Sequence, residues 1–354
     1  MTPRYRRNLR AMGALDLVRE HQNTAGAPPR VTVIIAAYRR PGVLIHALRS
    51  ALAQTMQHLE VLVIGDACSQ ETARIVHSVD DPRVHYVNLP RNTGDQSGPN
   101  SIGMELARGE HVAFLNQDDM WFPTHLETAL ARLHADSADL VLAPSFRILA
   151  QGPDATPSTL QGVFDTSTAE DYAPQNLRIY VASGLVCTSA LARRVGHWRP
   201  AASVRYASSQ DFIYRCWAAG ARICTLDRPT IAVFPSAAAH SAYTDDRDGE
   251  QRLLAPVVLS GDAALLARQS RPMPGQHDRR ARILGMVTWG EFSEGARAPA
   301  PDRRRLALFD AMAPVAARLG VGPFELAAWL RGIGRGDTNR ILRSVRGLDP
   351  SDPR

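Results

Sequence analysis

The sequence predicts an α/β protein built on a mostly parallel sheet flanked by helices, with a helical C-terminal extension. Three observations lead there. VTVIIAAY (31–38) is a continuous β-branched run of the kind found in a strand buried on both faces. Further short apolar runs alternate with stretches of helical spacing, as in repeated βα units. From about Asp246 the composition becomes helical, interrupted by RPMPGQ and GARAPAPD.

Residues 1–29 are polar, end in AGAPP, and read as a short helix and linker. After the first strand, Pro41 opens a helix carrying Leu44, Leu48, Ala51 and Leu52 on one side. The unit then repeats. LEVLVIG (59–65) precedes a helix from about Gln70 to Val79, and RVHYVNL (83–89) one from about Gly98 to Arg108. HVAFLN (111–116) precedes a helix from Pro123 to His134, and DLVLAPSF (139–146) follows as a strand. The stretch QGPDATPSTLQG reads as a loop. Order returns with VASGLVCTSALARRVGHW (181–198), a helix over 210–223 closed by Gly220, and a strand TIAVF (230–234). The expected division is therefore a polar segment 1–29, an α/β domain 30–245 and a helical extension 246–354.

In the extension, Leu308, Met312, Val315 and Leu319 share a helical face despite Pro314, and Asp337 is a candidate cap for a last helix bearing Ile341, Leu342 and Val345. Arg331, Arg335, Arg340, Arg343 and Arg346 line the same region. Such helices lie on anionic membranes or pack back on the domain before them, and the second outcome is the commoner one. Peripheral membrane contact and self-association stand as further expectations for this region.

The 41 basic residues are all Arg and the net charge is +6, but Asp and Glu are interspersed throughout, which reads as a solvated mixed surface. No recognised nucleic-acid motif accompanies the arginines, so no nucleic-acid partner is expected. Cys68, Cys187, Cys216 and Cys224 show neither C-x-x-C nor zinc-site spacing and read as reduced thiols. The basic start MTPRYRRNLR lacks a following apolar region, and no window reaches the length of a spanning helix. The expected location is cytoplasmic, extending to the inner face of a membrane.

Ligands of parallel sheets bind outside the carboxyl ends of the strands. Asp66 follows one strand and Asp118 and Asp119 follow another, so three carboxylates are expected at one edge. Crowded carboxylates need a counter-charge, and Mg²⁺ or Mn²⁺ held through one or two of them plus substrate phosphates is a usual one. FLNQDDMW equally suits a turn and helix cap before Pro123. Taken alone, the pair leaves both readings open.

The order of motifs resembles the family 2 glycosyltransferases of the GT-A fold, over roughly residues 31–245. VTVIIAAYRRPGVLIHALRSALAQT is similar to that family's opening strand and helix, and LEVLVIGDACSQET to its nucleobase-binding segment. LPRNTGDQSGPNSIGMELARGEHVAFLNQDDMW is similar to its long signature ending in the DxD region. The resemblance implies that Ala36, Ala37 and Tyr38 cradle the nucleoside, that Asp66 binds the base, and that Asn92, Gly94 and Asn100 pass beneath the donor. Asn100 reads equally as a helix cap. Where the family often has two acids, this chain has Gly65 before Asp66; where it commonly has an aspartate, this chain has Asn116. A ribose or metal-water contact is left to Asn116, and the divalent metal (Mg²⁺ or Mn²⁺) to Asp118 and Asp119, with Asp119 preferred.

In SSQDFIYRCWAAG, Gln210 and Asp211 stand where the family has its catalytic E-D pair, which implies Asp211 as general base. Gly184 falls in the acceptor-side strand, Trp198 reads as a sugar platform or a core residue, and His240 stands where related enzymes carry a metal or diphosphate ligand. The implied reaction is inverting transfer from a nucleotide sugar, UDP-linked by preference, to the hydroxyl of a carbohydrate or other acceptor. A non-catalytic scaffold of the same fold and a sugar nucleotidyltransferase are the alternatives, the latter weakened because AAYRRPG makes a poor phosphate loop.

Overall fold

The computed structural model describes residues 27–149, 161–164, 180–234, 243, 248–272 and 303–349. Four βα units open the chain: β1 (Val31–Ala37), α1 (Pro41–Leu52), β2 (Leu59–Asp66), α2 (Gln70–His77), β3 (Val84–Leu89), α3 (Ser97–Leu106), β4 (His111–Asn116), a short β5 (Met120–Trp121) and α4 (His125–Ala135). There follow β6 (Leu140–Leu142), β7 (Ser145–Leu149), β8 (Gln161–Phe164), β9 (Leu185–Thr188), α5 (Ser189–Val195), α6 (Ser208–Ala218), β10 (Ile223–Thr225) and β11 (Ile231–Val233). Beyond these lie α7 (Gly249–Leu259), α8 (Ala263–Gln269), β12 (Ser270–Pro272), α9 (Arg303–Arg318), α10 (Pro323–Leu330) and α11 (Asp337–Val345).

The large sheet has the order β10-β6-β9-β4-β1-β2-β3 and is parallel except for β9, which runs antiparallel between β4 and β6. Its strands are apolar on both faces because both are covered. Val31, Val33 and Ile35 face α1 and α4, whereas Ile34, Leu62 and Phe114 face α3 and α6. A second sheet, β12-β8-β7-β11-β5, packs against α7 and α8 through Phe122, Phe146, Leu254 and Leu266.

Three expectations change. The single strand over 139–146 divides at Ala143 and Pro144, so β6 joins the large sheet and β7 the second. Proline lacks the N–H a ladder needs, and Ala143 N instead donates to Gly184 O at 2.8 Å. The boundary at residue 245 cuts through what the structure joins, since α7, α8 and β12 pack into the second sheet and its cluster. The helix expected over 210–223 spans Ser208–Ala218, and Gly220, at φ 75°, supplies the left-handed stop.

The extension packs back on the α/β domain, but of the expected face only Met312 takes part. Leu308, Val315 and Leu319 are exposed, and the neighbouring stripe of Phe309 and Ala316 is buried with Tyr206, Phe324 and Ala327. Sequence periodicity sees one broad apolar arc, and packing uses the half that meets α10. Gly336, not Asp337, caps α11; the Asp337 carboxylate accepts from Gly334 N at 2.6 Å instead.

Candidate active site

The carboxyl ends of β2, β1 and β4 lie side by side, with Ala36 between Ile64 and Asn116. A reciprocal amide pair locks the exit from β1 to the exit from β4: Tyr38 N donates to Gln117 Oε1 at 2.8 Å and Gln117 Nε2 donates to Tyr38 O at 3.0 Å. Beyond it the backbone takes left-handed φ values of 50° and 51° at Arg39 and Arg40, a conformation that costs non-glycine residues of the order of 1–2 kcal/mol each. The cost places the Arg40 guanidinium beneath the turn after β4. Ala37 O accepts from Cys68 Sγ at 3.2 Å.

Gly65 has a spatial reason. A Cβ there would meet Asn88 Oδ1 at 2.6 Å and Tyr86 Oη at 2.7 Å, and Asn88 is fixed by two 2.9 Å bonds to the backbone of Cys68. Asn88 thus fills the space a first carboxylate would need. Asp66 is buried and accepts from Thr93 N at 2.8 Å and Thr93 Oγ1 at 3.1 Å. Asn92 shapes the same loop by accepting from Gly94 N, and Gly94 has φ 94°. Asn100 is buried inside α3, four residues after Gln96 whose carbonyl accepts its N–H, so the cap reading fails.

Burial pushes Asp66 from 3.8 to about 7, against the opposing bonds from Thr93; nearby Asp95 raises it further and Arg343 lowers it. Between those two values the folded state holds a proton that the unfolded state has released. Its contribution to stability is therefore complete below about pH 4 and is lost as pH rises through about 7. Asp66→Asn, which cannot ionise, is expected to flatten the fall in thermal midpoint of the ligand-free protein between pH 5 and 8; an unchanged slope refutes the assignment.

Asp118 and Asp119 point to different partners. Asp119 is buried, with Oδ2 accepting from Asn116 Nδ2 at 2.9 Å and from the Ser183 hydroxyl, and Oδ1 accepting from Phe234 N at 3.3 Å. Burial and the Asp118 charge raise its pKa. Asn116, whose own N–H donates to Ser183 Oγ at 3.0 Å, supplies this carboxylate with a neutral donor where a third aspartate would repel it. Asp118 instead receives Arg40 Nη1 on Oδ2 at 3.3 Å, while its carbonyl accepts from Gln251 Nε2 of α7 at 3.1 Å. Of the two carboxylates, Asp118 is the one that could hold a divalent metal, since Asp119 has both oxygens engaged. Among the described residues no cluster of three or more His, Cys, Asp or Glu gathers around a common point.

Asp211 belongs to another cluster. Its Oδ1 accepts from Arg199 Nη1 at 3.1 Å and its Oδ2 from Arg215 Nε at 2.8 Å. Arg215 is itself held by Val195 O and His197 O, but the Arg199 side chain is 57% exposed. Gln210 is buried and donates to Tyr180 O at 2.6 Å. Gly184 closes a 3₁₀ turn, Ala182–Gly184, against Ala143. Trp198 is a core residue, stacked on Phe212 at 5.3 Å and tilted against Phe114 at 5.0 Å, which removes it as a sugar platform. His240 lies outside the described residues.

Sequence reasoning missed Arg40, Thr93, Gln117, Ser183 and Tyr243. Tyr243 lies 5.8 Å from Tyr38, with the Arg40 guanidinium 5.7 Å and the Arg346 guanidinium 5.4 Å from its ring. Gln117 carried a signal, as the middle residue of N-Q-D-D; the others have none until strands and loops are brought together.

Residues 32–198 match the sequence model of the Glycosyl transferase family 2. The Succinoglycan biosynthesis protein ExoO of Rhizobium meliloti (strain 1021) is 35% identical over 114 residues, 32% of this chain and 32% of that protein. The UDP-Glc:alpha-D-GlcNAc-diphosphoundecaprenol beta-1,3-glucosyltransferase WfaP of Escherichia coli is 28% identical over 100 residues, 28% of this chain and 39% of that protein. These matches thus span only about a third of the curated relatives' length. The crystal structure of S. aureus TarS 1-349 in complex with UDP-GlcNAc has a TM-score of 0.52 at 18% identity, covering 90% of this chain and 92% of that one, and shares the fold. Over 32–198, the segment that carries Asp66, Asn116 and Asp118, the chain is thus similar to family 2 of the glycosyltransferases, and it shares its fold with TarS.

Proposed function

We propose that this protein transfers a sugar from a nucleoside-diphosphate donor, UDP-linked by preference, to an acceptor hydroxyl with inversion. The observation that supports it most is the convergence of Asp66, Tyr38, Asn116 and Asp118 at the carboxyl ends of three adjacent parallel strands. That is where ligands of such sheets bind. The WfaP relative uses UDP-Glc by its name, and the TarS neighbour was solved with UDP-GlcNAc, which favours a UDP donor.

In this reading the nucleoside lies along Ala36–Tyr38 over Asp66 and the Asn92–Gly94 loop. The diphosphate reaches Asp118. A divalent metal bound there supplies Lewis acidity to the departing diphosphate. Arg40, paired with Asp118 in the ligand-free protein, turns to the phosphates as that pair opens, so the site keeps a cation at the leaving group throughout. Asp211 takes the acceptor proton through the oxygen now paired with the exposed Arg199, a pair weak enough for a bound hydroxyl to displace.

Release of nucleoside diphosphate measured across UDP-, GDP-, dTDP- and ADP-sugars, with and without Mg²⁺ or Mn²⁺, tests the proposal. Turnover of at least one donor with an added acceptor is expected. Binding without turnover on any donor favours the non-catalytic scaffold.

A further inference from the structure

The family match ends at residue 198, yet the last helix reaches the candidate donor side of the sheet. α11 and α10 are seated on the segment before α6. Gly336 N donates to Val204 O at 2.9 Å, Thr338 Oγ1 donates to Arg205 O, and the Glu325 carboxylate accepts from Arg205 N at 2.6 Å. The same segment is tied to the donor loop by Asp95, which accepts from Ala201 N at 2.6 Å and from Ser97 N at 2.9 Å.

From this seat Arg343 of α11 and Arg346, the residue that caps it, bring guanidinium groups to the Gly94 loop and the Tyr243 ring. Arg343 is 5% exposed and donates Nη1 to Gly94 O at 3.3 Å and Nε to Asp349 O at 2.9 Å. It lies close enough to Asp66 to favour the charged carboxylate. Arg346 lies 5.4 Å from the Tyr243 ring, and its carbonyl accepts from Tyr243 N at 3.2 Å. Arg40 is 5.7 Å from that ring and is paired with Asp118. Three buried acids, Asp66, Asp118 and Asp119, and the half-buried Asp95 gather in this quarter of the molecule, an unfavourable field for a diphosphate unless cations offset it. A guanidinium beside an aromatic ring suits the task, because its planar fork of N–H groups matches phosphate oxygens two at a time.

We infer that α11 is a wall of the nucleoside-diphosphate site, with Arg346 contacting the diphosphate alongside Arg40 and Arg343 positioning the loop under the nucleoside. The inference rests on the donor reading proposed above. It gives the extension, which the family match does not reach, a part in donor binding.

Calorimetric titration of the full chain tests it, using whichever of UDP, GDP, ADP, CDP and dTDP the wild type binds, together with the matching nucleoside. Arg346→Met is expected to weaken the diphosphate at least tenfold and leave nucleoside affinity unchanged, and Arg346→Lys to recover part of the loss. Arg346→Gln gives the same comparison should the Met variant melt early. Equal diphosphate affinity in variant and wild type overturns the inference and leaves the donor reading standing. So does equal weakening of nucleoside and diphosphate, which marks a residue that only shapes the pocket. A wild type that binds none of the five removes the donor reading, and the inference with it.

Discussion

Asp211→Asn is expected to lower turnover by about 10²–10⁴-fold, the usual worth of a general base, while nucleoside-diphosphate affinity stays within about twofold. The substitution keeps the shape of the side chain and removes its basicity. It also removes the charge facing Arg199 and Arg215, so thermal unfolding must be followed alongside; a loss of about 1–3 kcal/mol would be ordinary for two weakened charged hydrogen bonds. Arg199→Ala separates the roles. If Asp211 acts as base, freeing its Oδ1 leaves turnover intact or raises it; if Asp211 only pins the segment before α6, both variants lose activity in step with stability. Near-wild-type turnover in Asp211→Asn sinks the assignment.

Asp119→Ala and Asp118→Ala are expected to fail in opposite ways. Removing the Asp119 carboxylate strands three donors, from Asn116, Ser183 and Phe234. At about 1–3 kcal/mol for each group left unsatisfied, and with partial relaxation, unfolding free energy should fall by roughly 3 kcal/mol. Removing Asp118 releases Arg40 and should cost about 1 kcal/mol, but should abolish any gain in nucleoside-diphosphate affinity from Mg²⁺ or Mn²⁺. Urea unfolding and titration with and without metal distinguish them. An Asp119→Ala variant as stable as the wild type that has lost its metal response would move the metal to Asp119 and contradict the division of labour proposed here.

Much of the fold was legible because it rests on local patterns. β1 to β4 are apolar runs followed by helical spacing, and each appears within about two residues of its expected place. The antiparallel insertion of β9 was not legible, since a four-residue strand carries no sign of its direction or neighbours. The same limit governs the site. Asp66 and Asp118 could be placed from position along strands alone, and Asn116 through the family resemblance. Their partners could not: Thr93 comes from the next strand's exit, Ser183 from a turn between sheets, and Arg343 from a helix 249 residues beyond Gly94. Nothing in the strand positions announces the Ser183 hydroxyl on Asp119. Trp198 shows the converse, because a lone aromatic near a site reads as a platform until Phe114 and Phe212 are found against its faces.

The place of β9 also bears on how the chain comes off the ribosome. β4 ends at Asn116, but the strand that covers its open edge begins at Leu185. At synthesis rates of roughly 5–20 residues per second, that edge stays uncovered for about 3–14 s while the intervening chain is made. The nascent sheet carries Val112, Phe114 and Leu115 beside unpaired backbone donors and acceptors during this interval, a template for wrong pairing. Slowing translation between Asn116 and Leu185 should therefore lower the yield of native protein more than the same delay placed after Thr188.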